Sequence, residues 1–191
     1  MIRRFRRRVG FQTVGQTETS MIRDVRPEDA PEIAAIYAYY VVNTTISFEL
    51  EAPSAVEIRK RIERITPRYP WIVHEQDGKI DGYAYAGEYK SRKAYRYTTE
   101  LAVYLNRDLR GKGIGSLLTR ELLSRLRGMN YYTALACITC GNERSVGMVE
   151  KLGFERVGVS KNVGRKFGRW LNIVDYTLPL KEYADTPPDE I

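Results

Sequence analysis

Arg110-Gly111-Lys112-Gly113-Ile114-Gly115-Ser116 follows a run with strand character and opens an amphipathic helical one. Its glycines remove the side chains that would hold a phosphate away from backbone N–H groups. The first turn of the helix then offers unpaired donors and partial positive charge. Arg110 and Lys112 add cations, so the segment reads as a site for an anionic ligand, best a pyrophosphate. Other phosphate motifs fit poorly. No Gly-Lys-Ser/Thr occurs, which excludes a Walker A loop. The Gly111-x-Gly113-x-Gly115 spacing lies late in the chain with no suitable acid after the next strand, unlike a dinucleotide fingerprint.

Working outward from this loop, the preceding strand is expected at about 95–105. The helix after it turns Ile114, Leu117, Leu118, Leu122 and Leu126 inward and stops at Gly128. Tyr131 to Ile138 reads as a strand. Asn142 caps a short helix closed by Gly153, and two strands follow at about 154–162 and 169–179. On the N-terminal side, a strand at about 21–25 leads to Pro27 and a helix with Ile33, Ile36, Tyr37, Tyr40 and Val41 on one face. Ser54-x-x-Glu57 is a capping box for a second helix carrying Ile58, Ile62 and Ile65. Trp71 to Glu75, Asp77-Gly78 and Ile80 to Ala86 read as a hairpin. The order β-α-α-β-β-β-α-β-α-β-β predicts an α/β (α+β) fold, with a mixed, mostly antiparallel sheet flanked by helices.

The 191 residues suit one domain with short extensions. With 43% hydrophobic and 29% charged residues, the chain can bury a core. No apolar run approaches the roughly 20 residues of a membrane-spanning helix. The net charge is +7, but residues 1–20 hold five arginines and one acid, so +4 of it lies in the head. That leaves little basic excess for a fold-wide nucleic-acid groove. No apolar segment follows the arginines, so a secretory signal is not expected. Residues 1–20 are expected to be disordered, and three readings stand for them. They lie upstream of a true start at Met21, or form a basic arm for nucleic acid or anionic lipid, or are an inert extension. The domain is expected over 21–181 and a disordered tail over 182–191.

One histidine and two cysteines leave little for a zinc site, and no metal is expected. Cys137 and Cys140 read as small apolar residues on a buried strand. His74 lies in a strand-like run with no nucleophile motif, which argues against a Ser-His-Asp hydrolase.

The strand, Arg110-x-x-Gly113-x-Gly115, the amphipathic helix, a strand, Asn142 and Leu152-Gly153-Phe154 together resemble the GNAT acetyltransferase superfamily. Tyr83-Ala84-Tyr85-Ala86-Gly87, Thr99-Glu100, Val103-Tyr104 and Lys166-Phe167-Gly168-Arg169-Trp170 are similar to its phosphinothricin and methionine sulfoximine N-acetyltransferase branch. The likeness runs from about Ile22 to Leu180. It implies a cytoplasmic homodimer that uses acetyl-CoA to acetylate the primary amine of a small amino-acid-like acceptor, by direct attack in a ternary complex. It also implies that the strand before the loop splays from its neighbour. Val103, Tyr104 and Leu105 would meet the pantetheine arm through their backbone. Arg110, Gly111, Lys112, Gly113, Ile114, Gly115 and Ser116 would hold the pyrophosphate, and Asn142 would contact the coenzyme.

Glu100 matches the branch's general base, and the chemistry requires one, because a protonated amine cannot attack a thioester. Lys90, Ser91, Arg92, Leu101, Ala102 and Phe48 match acceptor-side positions. A cation there suits a carboxylate or phosphinate. Two departures stand out. Relatives often carry Tyr or His where this chain has Val149, so coenzyme A leaves as a thiolate (a thiol pKa is about 8.5) or another group such as Tyr104 protonates it. The loop Tyr89-Lys90-Ser91-Arg92 replaces a frequent Trp-Arg-Pro. The competing readings are a protein or peptide N-acetyltransferase, and a noncatalytic module binding acyl-CoA or nucleic acid.

Overall fold

In the computed structural model, residues 20–188 are described. They form seven strands and four helices in the expected order. These are β1 (Ser20–Asp24), α1 (Ala30–Asn43), α2 (Ala55–Ile65), β2 (Trp71–Gln76), β3 (Lys79–Glu88) and β4 (Thr98–Leu105). There follow α3 (Ile114–Gly128), β5 (Thr133–Thr139), α4 (Glu143–Lys151), β6 (Glu155–Lys166) and β7 (Arg169–Pro179). The strands make one sheet in the order β1-β2-β3-β4-β5-β7-β6. All pairs are antiparallel except β4–β5.

Alternation along the strands divides the core in two. One face carries Ile72, Ala84, Ala136 and Val174, covered by Leu118, Leu122 and Leu126 of α3. The other carries Trp71, Val73 and Tyr83, covered by Ile33, Tyr37 and Val41 of α1 and Ile58 and Ile62 of α2. Helical spacing of apolar residues thus marks the side of each helix that meets the sheet, except that Leu117, expected inward, is exposed, one position off the stripe of Leu118, Leu122 and Leu126. Ser54 caps α2 by accepting from the Glu57 N–H at 3.2 Å. The other half of the expected capping box goes elsewhere, because the Glu57 carboxylate accepts from Arg61 Nε at 3.0 Å.

The chain ends differ from expectation. Ser20 already belongs to β1, because its partner Gln76 extends the β2 register. Residues 1–19, and with them most of the expected basic extension, lie outside the described residues. Beyond β7 no helix or strand forms up to residue 188, yet the tail is anchored. Tyr183 stacks on Tyr132, ring centroids 6.2 Å apart, and Tyr97 Oη donates to the Pro188 carbonyl at 2.9 Å. Aromatic contact and one hydrogen bond thus hold a segment whose polar, proline-rich composition predicts disorder. Residues 189–191 lie outside the described part.

His74 is buried and central to the β1 side of the sheet. Its Nδ1 lies 2.5 Å from Asp81 Oδ1 and its Nε2 3.0 Å from Ser20 Oγ. Ser, His and Asp thus line up across β1, β2 and β3, the three strands on one side of β4. The line ties three strands in register.

Candidate functional site

The parallel pair β4–β5 is short. Only Thr98–Glu100 pair with Thr133–Leu135, whereas β4 runs on to Leu105 and β5 to Thr139. Past Glu100 each strand stays bound on its far side, β4 to β3 and β5 to β7. The sheet therefore opens into a slit between two intact halves. A cavity of about 180 Å³ occupies it. Leu101 to Tyr104 form one wall and Ala136 to Thr139 the other, with Thr119, Met148 and Val149 from α3 and α4 behind. Ile46 and Tyr85 close the opposite side. The loop after α1 is pinned there, because Thr139 Oγ1 donates to the Thr45 carbonyl at 2.9 Å.

One end of the slit leads to α3. Gly113 is the residue before that helix, with φ +87°, and Gly111 has φ +86°. A side chain in this left-handed region costs about 1–2 kcal/mol, which is why glycine stands here. Gly113 supplies no side-chain cap. The first intrahelical bond runs from the Leu117 N–H to the Gly113 carbonyl. The N–H groups of Ile114, Gly115 and Ser116 precede it and have no intrahelical acceptor. Arg110 is drawn to the same corner, its guanidinium 5.4 Å from the Tyr39 ring and donating to the Arg107 carbonyl at 2.9 Å. Lys112 is exposed. Donors, helix dipole and cations together suit an anion at the end of an elongated ligand.

At the other end, where pairing stops, stands Glu100. It is half-buried, and burial raises its carboxyl above the usual range, with the Asp175 carboxylate adding to the rise. Asn142 caps α4, accepting from the Ser145 N–H at 3.4 Å, and lines the cavity. Val103 and Tyr104 line it as well, while Leu105 gives its carbonyl to Tyr40 Oη at 2.6 Å. Tyr104 packs edge-on against Tyr37 and Tyr40. Burial lifts its hydroxyl well above the ordinary phenol range, so it stays protonated. Val149 is buried in the cavity wall and brings no proton.

The acceptor-side positions divide. Leu101 and Ala102 line the slit with Glu100. Lys90, Ser91 and Arg92 line a separate basic pocket with Arg68, Lys93 and Arg96. Phe48 packs against Gly164 of β6, where an added Cβ would fall 2.2 Å from its ring. It is Ile46, two residues earlier, that reaches the slit. Glu49 is taken by Arg61, at 2.6 Å.

Cys137 and Cys140 are corrected: both are exposed. Cys137 also lines the slit. Burial, then the Glu100 and Asp175 carboxylates, push its thiol up to about 12, so it stays neutral. The signal was present in the alternation of β5. Thr133, Cys137 and Thr139 share one face, and the fully apolar Ala134, Ala136 and Ile138 share the other. Thr119 and Met148 were missed. A threonine on the apolar stripe of α3, four residues after Gly115, marks a turn where the helix faces something other than core.

A family model described as an acetyltransferase (GNAT) domain matches residues 22–174. A phosphinothricin N-acetyltransferase of Alcaligenes faecalis is 41% identical over 170 residues, covering 88% of this chain and 86% of its own. An L-methionine sulfoximine/L-methionine sulfone acetyltransferase of Pseudomonas aeruginosa is 36% identical, covering 88% and 99%. Among solved structures, a GNAT superfamily phosphinothricin acetyltransferase of Sinorhizobium meliloti in complex with acetyl-CoA superposes with a TM-score of 0.84. It is 36% identical and covers 89% of this chain and 93% of its own.

Proposed function

The chain belongs to the GNAT acetyltransferase family, and from that premise we propose that it acetylates the primary amine of a small amino-acid-like acceptor, of the phosphinothricin or methionine sulfoximine type. It is an acyltransferase, and acetyl-CoA is its co-substrate. The observation that carries this reading is the slit itself, which joins an anion-binding helix start to a half-buried carboxylate.

The coenzyme fits this chain. Gly111 to Ser116 with Arg110 and Lys112 take its pyrophosphate on N–H donors and cations. The backbone of Val103, Tyr104 and Leu105, unpaired toward β5, accommodates the thin pantetheine arm, with Asn142 beside it. Bound acetyl-CoA supplies an activated acetyl carbonyl at the Glu100 end. Backbone donors of β4 left unpaired along the slit would stabilise the charge that develops on that oxygen during attack. Glu100 takes the proton that the acceptor ammonium must lose, directly or through one water. With both substrates bound, transfer is direct, and the neutral Cys137 thiol takes no part as a nucleophile. Val149 leaves the departing thiolate to Tyr104, the protonated donor in the wall, or to water. Leu101 and Ala102 border the acceptor. Lys90, Ser91 and Arg92 are candidates for its anionic group, and Phe48 for a bordering role. A cytoplasmic homodimer is the working form we infer, in keeping with the sequence resemblance.

The test is thiol release from acetyl-CoA against phosphinothricin, methionine sulfoximine, common amino acids, polyamines and short peptides. Turnover on amino-acid analogues supports the reading. Tight acetyl-CoA binding with no acceptor turned over would instead indicate a coenzyme-binding module. Gly113→Val adds a check on the loop. Backbone strain of about 1–2 kcal/mol is expected to weaken acetyl-CoA binding by roughly 5- to 30-fold, read by calorimetry. Unchanged affinity would remove the loop from the binding site.

A further inference from the structure

Two segments far apart in the chain meet over the slit. Residues two apart on a strand share a face, so Glu100, Ala102 and Tyr104 of β4 point to one side. Tyr104 packs against Tyr37 and Tyr40 of α1. The Glu100 side chain therefore projects toward the α1 side of the sheet, the side that Ile46 closes. The donors at the start of α3 belong to the helix that covers the opposite face. Ile46 lies in the loop after α1, so this loop stands over the end of the slit assigned to the acceptor.

The loop is held from β6. Gly164 and Lys166, two residues apart on that strand, face it together. Phe48 fills the space that a Cβ on Gly164 would need. Lys166 Nζ donates to the Ser47 carbonyl at 2.7 Å. Two further bonds act on the residues flanking Ile46. Thr139 Oγ1 donates to the Thr45 carbonyl, and Ser47 Oγ shares a hydrogen bond with Tyr37 Oη at 2.7 Å. Lys166 is 4% exposed, and among the described residues no ion pair includes it. Burial lowers its ammonium below the ordinary lysine range, and the Glu49 carboxylate works against that fall. A lysine is rarely buried without a paired charge, because removing an ammonium from water is unfavourable. A methionine would fill the same space without that cost, so packing alone does not call for the charge.

We propose that Lys166 is a positioning residue for the acceptor: its ammonium, with Phe48 seated on Gly164, clamps the loop after α1 to the β6–β7 hairpin, and the clamped loop makes Ile46 a fixed wall that restricts the acceptor to a slender side chain. This rests on the reading of Glu100 as the acceptor end of the slit. Lys166 does not touch the acceptor. It acts through the Ser47 carbonyl, one residue from Ile46. A loop freed of that bond opens more often. Opening lowers the fraction of molecules ready to bind a small acceptor, and apparent affinity falls with that fraction. The same opening gives a bulky acceptor room.

The test compares kcat and KM for phosphinothricin and for L-tryptophan in wild type, Lys166→Met, Lys166→Arg and Gly164→Ala. Lys166→Met keeps the length of the side chain and removes its donor and charge. It is expected to raise KM for phosphinothricin by roughly 10-fold, the worth of one charged hydrogen bond. Its kcat should be nearly kept, because Glu100 stands on β4 and is not moved. The kcat/KM of L-tryptophan relative to phosphinothricin is expected to rise. Lys166→Arg retains a charged donor and should recover part of the KM. Gly164→Ala displaces Phe48 and should shift the same ratio by a separate route. A loss in kcat alone, or an equal fall on both acceptors, overturns the proposal. Hydrogen exchange reads the clamp without turnover. The Ile46 and Glu49 amides, bonded to Thr44 Oγ1 and Ser47 Oγ, should exchange roughly 10-fold faster in Lys166→Met, and unchanged exchange overturns the clamp. Faster exchange in that variant, beside a wild type that turns over neither acceptor, would keep the clamp and discard the acceptor reading.

Discussion

Replacing Glu100 by Gln is expected to lower kcat for thiol release by roughly 10²–10⁴-fold, with acetyl-CoA binding retained. The amide keeps the shape of the side chain and its place at the end of β4–β5 pairing, but it cannot take a proton. The pH profile adds a sign. Burial, reinforced by Asp175, holds the Glu100 carboxyl above the ordinary glutamate range. As pH falls through that raised value the base is protonated and lost. Wild-type kcat/KM should therefore decline on the acid side at a higher pH than a free glutamate would give. The Gln variant should show no such limb. A variant that keeps both rate and limb would assign the proton to another group.

Leu122→Ala is expected to cost about 2–5 kcal/mol of folding stability, as large-to-small changes at fully buried leucines do. Leu122 is wholly buried where α3 meets the sheet. The measurement is a urea or guanidinium midpoint, compared at equal slope so that the change is one of stability alone. The consequence reaches the proposed site, because the first turn of the same helix carries the donors assigned to the coenzyme. Saturating acetyl-CoA should return part of the loss, by RT ln(1 + [L]/Kd). A loss below about 1 kcal/mol would mean that α3 repacks around the gap.

The face of each helix was legible because its cause is local. Ile33, Tyr37 and Val41 recur at helical spacing and are buried together, and Leu118, Leu122 and Leu126 do the same. The glycine loop was legible for a similar reason, since a left-handed Gly113 before an amphipathic run leaves few alternatives. The parting of β4 from β5 has no such local mark. Alternation continues unbroken through Leu101 to Leu105, so periodicity cannot say that pairing ends at Glu100, and only the family resemblance anticipated it. The separation of Lys90, Ser91 and Arg92 from Glu100 is likewise set by tertiary packing. Nearness along the chain does not place two side chains in one cavity. The meeting of Cys137 and Asp175 depends on the β5–β7 register, which no local pattern marks.

A sheet edge is ordinarily a hazard. Its unpaired backbone groups invite another chain, and proteins defend it with charges, bulges or short strands. The slit gives this protein two such edges in the middle of its sheet, facing each other. They are guarded by width instead of chemistry: helices α3 and α4 close one side, and Ile46 and Tyr85 the other. A polypeptide strand carries side chains above and below its plane, and neither layer leaves room for them. A slender amide-bearing arm has none, and on the proposed reading it is what mends the break. On that reading, the discontinuity that takes the co-substrate also turns away a strand that would extend the sheet into an aggregate.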